Sequence, residues 1–208
     1  MDDDLTGALR AGGAGARAAS ERAARGLAAA AERRGLLDVA TATVDSPLGT
    51  LLAAGTSRGL VMLAYDDASM DARLERLARD VSPRILESPE RLDPVRRQLE
   101  EYFEGRRRRF EVPLDWSLSR GYAREVLRRT AEIPYGGASS YAEIAYLAGS
   151  PRGWRAAGNA LGANPMPIVV PCHRVLASGG GIGGYTGGLD RKRFLLALEG
   201  VEPQGARR

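Results

Sequence analysis

Pro165-Met166-Pro167-Ile168-Val169-Val170-Pro171-Cys172-His173-Arg174-Val175 holds the only cysteine and the only histidine of a 208-residue chain, side by side. The apolar run Ile168 to Val170 reads as a buried strand bounded by prolines, and the thiol follows it directly. One cysteine cannot form an internal disulfide, and one Cys with one His falls short of a metal-ligand set. Two fates stay open for the thiol: it packs as a small hydrophobe, or it reacts. A free thiol with a pKa of about 8.5 is only about 3% thiolate at pH 7. Lowering that pKa by about one to two units raises the reactive fraction roughly ten- to twentyfold. His173 is the base available for this task, and Glu199 is a carboxylate that can orient it, as in other activated nucleophiles.

Working outward, Ser178-Gly179-Gly180-Gly181-Ile182-Gly183-Gly184-Tyr185-Thr186-Gly187-Gly188 forms a glycine-rich loop, and a helix over about Leu189 to Leu198 ends at Glu199-Gly200. Without Cβ atoms such a loop brings backbone amides close to a ligand. It lacks the Gly-Lys-Ser/Thr ending of a phosphate loop, which disfavours a nucleoside triphosphate. Upstream, Ser139 or Ser140 caps a helix over Tyr141 to Ala148, with Glu143 in its first turn. Gly149-Ser150-Pro151-Arg152-Gly153 turns the chain into a second helix, Trp154 to Gly162. Two short helices joined by a tight Gly/Pro turn read as a helix-turn-helix. Before them, Tyr122, Val126 and Leu127 recur at helical spacing until Ile133-Pro134-Tyr135-Gly136-Gly137 breaks the pattern.

The first half has a different texture. Leu37 to Val44, Thr50 to Gly55 and Leu60 to Tyr65 predict a β-meander, with turns at Asp45-Ser46-Pro47-Leu48-Gly49 and Thr56-Ser57-Arg58-Gly59. Helices are expected over Met70 to Val81, capped by Ser69, and over Pro94 to Glu104, ended by Gly105. Phe110 to Leu114 is expected to add a strand. The Ala/Arg/Gly-rich residues 1–35 offer few large side chains to bury and read as a poorly ordered extension. The predicted class is therefore α/β (α+β). A small domain, residues 36–115, carries the antiparallel meander and helices. A mainly helical domain, residues 116–202, carries the helix-turn-helix and the cysteine segment, followed by a tail, 203–208.

Charge divides along the same line. Residues 1–115 hold 18 Arg against 20 Asp and Glu, whereas residues 116–208 hold 12 Lys and Arg against 6 Asp and Glu. The half with Cys172 is the basic one, which suits a polyanion such as nucleic acid. No apolar run approaches the roughly 20 residues of a membrane span. The acidic start Met1-Asp2-Asp3-Asp4 is unlike a secretory signal, and a lone cysteine suits a reducing compartment, most simply the cytoplasm.

The cysteine run resembles the active-site signature of the O6-alkylguanine-DNA alkyltransferases. Ser140-Tyr141, Arg155-Ala156-Ala157-Gly158-Asn159-Ala160, Asn164-Pro165, Gly184-Tyr185-Thr186-Gly187-Gly188-Leu189 and Leu198-Glu199-Gly200 follow in family order and at family-like spacing. The resemblance implies that Cys172 takes an alkyl group from O6 of guanine, or from O4-alkylthymine, in one irreversible displacement. By the same match, His173 activates the thiol through a water, Glu199 orients His173, and Asn164 braces the turn. Tyr185 donates to the guanine ring, and Val175, Thr186 and Pro167 help to form the base pocket. Arg155 is the finger that fills the gap left by the flipped base, and Tyr141 helps rotate the target phosphate. Ser150, Ala156, Gly158 and Ser178 lie on the DNA side. The expected partner is double-stranded DNA containing O6-alkylguanine, met by a monomer that needs no cofactor.

Some relatives carry a zinc site of Cys and His in the first domain; this chain has neither residue there, so no metal is expected. Two other readings compete. A non-catalytic binder that flags alkylated DNA shares the helix-turn-helix and the pocket but leaves the alkyl group in place. A papain-like cysteine hydrolase needs its His far along the chain, not beside the Cys.

Overall fold

The computed structural model describes residues 19–203, except 21, 24, 25, 29, 68 and 69. The meander is present as β1 (Val39–Val44), β2 (Leu51–Thr56) and β3 (Gly59–Tyr65), paired antiparallel. A short β4 (Ile85–Glu87) adds parallel to β1, giving the order β3-β2-β1-β4. Three residues are too few to show alternation, and β4 was not foreseen. Helices α1 (Met70–Asp80) and α2 (Pro89–Phe103) flank the sheet. The expected cap Ser69 lies outside the described residues.

Helix α2 starts five residues before the predicted Pro94. Pro89, not Pro94, takes the opening position, where a missing N–H costs nothing. Pro94 sits inside the helix, and the buried stripe Leu92, Val95, Leu99 and Tyr102 holds the helix through it. The strand expected over Phe110 to Leu114 does not form. Its only ladder contact is a bridge between Leu60 and Leu114, because Pro113 has no N–H to give. The expected disorder of residues 1–35 is also revised where the structure describes them. The described residues from 19 to 33 are helical, and Ala28 and Ala31 are buried. Small side chains are what allow that close approach. Residues 1–18 and 204–208 lie outside the described residues.

The second half contains α3 (Gly121–Ala131), β5 (Ser139–Ser140), α4 (Tyr141–Leu147), α5 (Trp154–Gly162), β6 (Val175–Leu176) and α6 (Leu189–Leu198). Ser140 Oγ accepts from Glu143 N at 3.1 Å, and the Ser139 hydroxyl donates to the Glu143 carboxylate at 2.8 Å. That reciprocal cap starts α4 where the sequence placed it. Gly153 makes the turn to α5 possible: a Cβ there would stand 2.5 Å from Ser150 Oγ. β5 and β6 pair in parallel and tie the helix-turn-helix to the segment after the cysteine.

The two halves share one apolar core. Leu51, Leu63 and Tyr102 from the first pack in the same cluster as Val126, Ile144 and Leu195 from the second. Leu63 N donates to Pro165 O at 2.8 Å, so β3 holds the start of the cysteine segment directly. Asp115, buried at the junction, accepts from Thr56, Arg58 and Ser117. Among the described residues no helix is long and apolar enough to cross a membrane.

Candidate active site

The segment read as a strand is a chain of tight turns. Val169 N donates to Pro167 O, Val170 N to Met166 O and Cys172 N to Val170 O, at 2.8–2.9 Å. Prolines 165, 167 and 171 remove the donors a ladder needs. Ile168 is fully buried at φ 74°, the one positive φ outside glycine among the described residues. A β-branched residue there stores about 1–3 kcal/mol of strain, and such strain gathers where the fold over-determines a site. Asn164 supplies that determination. Its Nδ2 donates to Val170 O at 2.9 Å and to Cys172 Sγ at 3.1 Å, while its Oδ1 accepts from Met166 N at 3.0 Å.

Cys172 opens a one-turn 3-10 helix, Cys172–Arg174, whose three residues are all buried. Burial pushes the Cys172 thiol up from its ordinary value, against the pull of Asn164 and Lys192. The expectation of a thiol ionised at rest is therefore corrected: desolvation outweighs the local donors, and the sulfur keeps its proton until a base takes it.

His173 is fully buried. Its Nε2 lies 2.9 Å from Glu199 Oε1. Burial holds the imidazole below its ordinary pKa despite the carboxylate, so the ring is neutral at pH 7. Glu199 is desolvated too, yet hydrogen bonds from His173, Arg174 and Tyr102 hold it at about 2. The Arg174 guanidinium is bidentate on Glu199 at 2.8 Å for each bond, and the Tyr102 hydroxyl donates to it at 2.6 Å. An ionised Glu199 accepts only, so Nε2 of the neutral ring carries the hydrogen. Nδ1 is left as a bare lone pair, and no described group bonds it although it is buried.

Lys192 lies buried under the pocket. Its ammonium donates to Val175 O at 2.7 Å and Gly184 O at 3.1 Å, joining β6 to the glycine loop. Burial lowers its pKa to about 8, with the Cys172 sulfur acting in the opposite direction. It is still charged at pH 7 and favours a thiolate nearby.

Cys172 lines two hollows. One lies between α5 and the glycine loop, walled by Tyr141, Gly158, Leu161, Gly184, Tyr185 and Thr186. The other faces β3 and takes in Pro167 and Asn164. Gly158 leaves room for the Tyr141 ring, which a Cβ would touch at 3.7 Å. Thr186 Oγ1 donates to Gly162 O at 2.8 Å, closing the loop onto the end of α5. Arg155 and Ala156 stand exposed at the start of α5, with the Arg155 guanidinium over the Trp154 ring at 4.7 Å. Ser150 lies in the turn before α5, and Ser178 is exposed at the start of the glycine loop.

Among the sequence candidates, the structure brings Cys172, Asn164, Tyr141, Gly158, Tyr185 and Thr186 to the two hollows, while His173 and Glu199 pair with each other in the core and line neither. Val175 lines neither hollow, and its carbonyl meets Lys192. Tyr185 points its hydroxyl at Tyr65 on β3, 3.0 Å away. Sequence reasoning missed Lys192, Arg174, Tyr102 and Tyr65. Lys192 left a signal: it is the only lysine in a chain whose other basic residues are arginines.

A sulfur beneath a helix-turn-helix, backed by a neutral imidazole and a fixed carboxylate, defines a DNA-facing thiol transferase in two joined domains. Family comparison agrees across the chain. Residues 39–116 match the ribonuclease-like domain, and residues 121–201 the DNA binding domain, of 6-O-methylguanine DNA methyltransferase. A methylated-DNA–protein-cysteine methyltransferase of Mycolicibacterium paratuberculosis is 43% identical over 157 residues, 76% of this chain and 90% of that protein. The inducible enzyme of that name from Bacillus subtilis is 36% identical, over 70% of this chain and 82% of its own length. The crystal structure of the Mycobacterium tuberculosis O6-methylguanine methyltransferase superposes with a TM-score of 0.67 at 37% identity, covering 80% of this chain and 96% of the other. The M. tuberculosis OGT in complex with DNA gives 0.65 at 36% identity, over 78% and 92%. The chain belongs to the methylated-DNA–protein-cysteine methyltransferase family.

Proposed function

We propose that this protein reverses alkylation damage in double-stranded DNA by moving the alkyl group from O6 of guanine to Cys172 Sγ. The carrying observation is the placement of His173: a neutral ring whose Nε2 hydrogen is fixed by Glu199 and whose Nδ1 lone pair is buried and free, on the residue next to the thiol.

The steps follow from that geometry. The target carbon is shielded in stacked DNA, so the nucleotide is turned out at a cost of a few kcal/mol. Arg155, first exposed cation of α5, fills the vacated stack, and Tyr141 at the head of α4 guides the phosphate. Ala156 and Gly158 keep the helix face thin, and Ser150 and Ser178 meet the backbone. Minor-groove readout is degenerate, which suits damage that arises in any sequence. The base enters the hollow between α5 and the glycine loop, where Tyr185 and Thr186 frame it, with Pro167 on the β3 side of the sulfur and Val175 supporting the pocket floor through Lys192. His173 Nδ1 takes the thiol proton through a water, and Lys192 and Asn164 stabilise the thiolate. The sulfur pair then forms the S–C bond as the C–O6 pair leaves on guanine, and a proton returns to the base from the pocket. The thioether is stable, so each molecule acts once, as a monomer, with no cofactor. The lone, reduced cysteine suits the cytoplasm. O4-alkylthymine presents the same kind of carbon to the sulfur and is a second substrate.

Incubating the chain with duplex DNA carrying labelled O6-methylguanine gives one label per molecule, on Cys172. Cys172→Ala removes transfer and leaves binding to the lesion duplex within about threefold. If intact-protein mass stays unchanged while wild type binds lesion DNA tightly, the protein flags damage without repairing it.

A further inference from the structure

The segment Phe110 to Leu114, which fails to form a strand, still lies along the sheet. β3 is an end strand of that sheet, and Leu114 bridges to Leu60 on it, so the segment is the outermost rim. Exposure alternates along it: Phe110, Val112 and Leu114 are half-buried, and Glu111 and Pro113 are exposed. Such alternation marks an extended chain, in which the N–H and C=O of successive residues also point to opposite edges. Leu60 N donates to Pro113 O at 2.8 Å, and Asp115 N donates to Leu60 O at 2.7 Å. Residues 113 and 115 therefore face β3, and Glu111 N is spent on Gln98 of α2. The donor that Pro113 lacks is missing on that inner edge only. The N–H and C=O groups of Val112 and Leu114 face outward, and no described group bonds to them.

The three half-buried side chains wall a hollow of about 680 Å³ that is closed by Ile133 and Tyr135, after α3, and by Val169. It shares no lining residue with the two hollows at Cys172. Its rim is basic. In the run Arg106 to Arg109, Arg106 pairs with Glu104 and Arg107 with Glu101. Arg108 and Arg109, the two that line the hollow, meet no carboxylate among the described residues, and Arg108 lies 5.7 Å over the Tyr135 ring. Glu132, the acid on the rim, faces Arg129 at 3.5 Å.

We infer that this edge is a docking site for an extended peptide segment of a partner protein, acidic at one end and apolar at alternate positions. Strand addition uses all three features at once. Main-chain bonds to Val112 and Leu114 satisfy the outward groups. A strand so paired places every second side chain on the face of Phe110, Val112 and Leu114, in the hollow. Its carboxylates reach Arg108 and Arg109, which immediately precede the edge in the chain. A small aromatic anion fills the hollow and meets the arginines, yet leaves the edge unpaired. The inference stands apart from the chemistry at Cys172.

The test titrates the full chain, labelled with nitrogen-15, with the synthetic peptide Asp-Asp-Val-Thr-Val-Thr-Val-Asp-Asp, acidic at both ends so that either strand direction is open. Saturable binding is expected, with the amides of Val112 and Leu114 slowed in hydrogen exchange at least about tenfold. Arg108→Glu and Arg109→Glu together, both at exposed positions, are expected to weaken binding at least about tenfold. No binding overturns the inference, as does unchanged affinity in the folded double variant. Binding that shifts the Tyr135 ring signals but leaves those two amides exchanging freely means capture by side chains alone, and overturns strand addition. Protection of the same amides by undamaged duplex DNA, or by raising the protein concentration alone, assigns the edge to DNA or to a second copy of the chain and overturns it too.

Discussion

Behind Cys172, Glu199 is shut away from solvent and meets His173, Arg174, Tyr102 and the backbone N–H of Gly136. In front of it, Arg155 and Trp154 stand in solvent at the head of α5. The rear is a closed network in which every charge is matched, while the front keeps its cation available. On the proposed function, the contrast follows from two tasks. A base that works on a buried thiol needs a fixed tautomer, and a desolvated carboxylate with several donors fixes one. A finger that enters a base stack would have to leave its resting place, so any strong partner would oppose it.

The sharpest way to break the rear is Glu199→Gln. The amide keeps the shape but removes the charge opposite Arg174, which is 6% exposed. Breaking a buried pair from one side costs about 3–5 kcal/mol. Thermal unfolding is expected to drop by on the order of 10 °C. Single-turnover alkyl transfer, measured where the variant is still folded, is expected to slow at least a hundredfold. A variant as stable as wild type would show that the pair is dispensable. The carboxyl itself falls from an ordinary 4.5 to about 2 on folding, so its contribution is complete above about pH 4.5 and is lost as the pH falls toward 2.

Lys192 tests the floor between rear and front. Its folded pKa is near 8 against an ordinary 10.5. Between those values the unfolded chain holds a proton that the folded chain has released, so this group adds stability as the pH rises through that window. That difference corresponds to roughly 3 kcal/mol at most. The stability difference between wild type and Lys192→Met is expected to grow in favour of wild type from about pH 8 to pH 10.5, read by denaturant unfolding at each pH. A flat difference would mean that Lys192 is solvated in solution.

These two regions were unequally legible in the sequence. The front was readable because helix caps and turns are local: Ser140 with Glu143, and the glycine turn before Trp154, fix α4 and α5 from neighbours in the chain. The meander was readable for the same reason. The rear was half readable. Cys172, His173 and Glu199 announced themselves by rarity or by the family's order. Tyr102, 97 residues from Glu199, and Tyr65, 120 residues from Tyr185, carry no local mark, because their roles exist only after the two domains close. The Ile168 to Val170 run misled for a physical reason. Apolar character predicts burial but not extension, and the surrounding prolines had already removed the donors of a strand. The raised Cys172 pKa also lay beyond the sequence, since desolvation is a property of the assembled core.

At the front, Arg155→Ala is expected to slow repair in duplex DNA by about ten- to a hundredfold, the scale set by the few kcal/mol that flipping costs. Reaction with the free modified base should fall less than about threefold, because that substrate has no stack to hold open. Equal losses with both substrates would move Arg155 out of the finger role.

The smallest effect belongs to Trp154, and its sign carries the information. The Arg155 guanidinium rests over the indole, which is 50% exposed. A cation over an exposed ring is worth about 0.5–1 kcal/mol. If Arg155 is the finger, that stabilisation belongs to the resting protein, since a guanidinium inserted in DNA would have left the ring. Removing the indole raises the free state relative to the bound one and leaves the finger itself intact. Trp154→Ala is therefore expected to bind lesion duplex about two- to fivefold more tightly, the range that 0.5–1 kcal/mol allows, and to leave reaction with the free base unchanged. Weaker binding would reverse the reading: the indole would then be a DNA contact in its own right, and the front of the molecule would hold two aromatic and cationic probes instead of one finger with its rest.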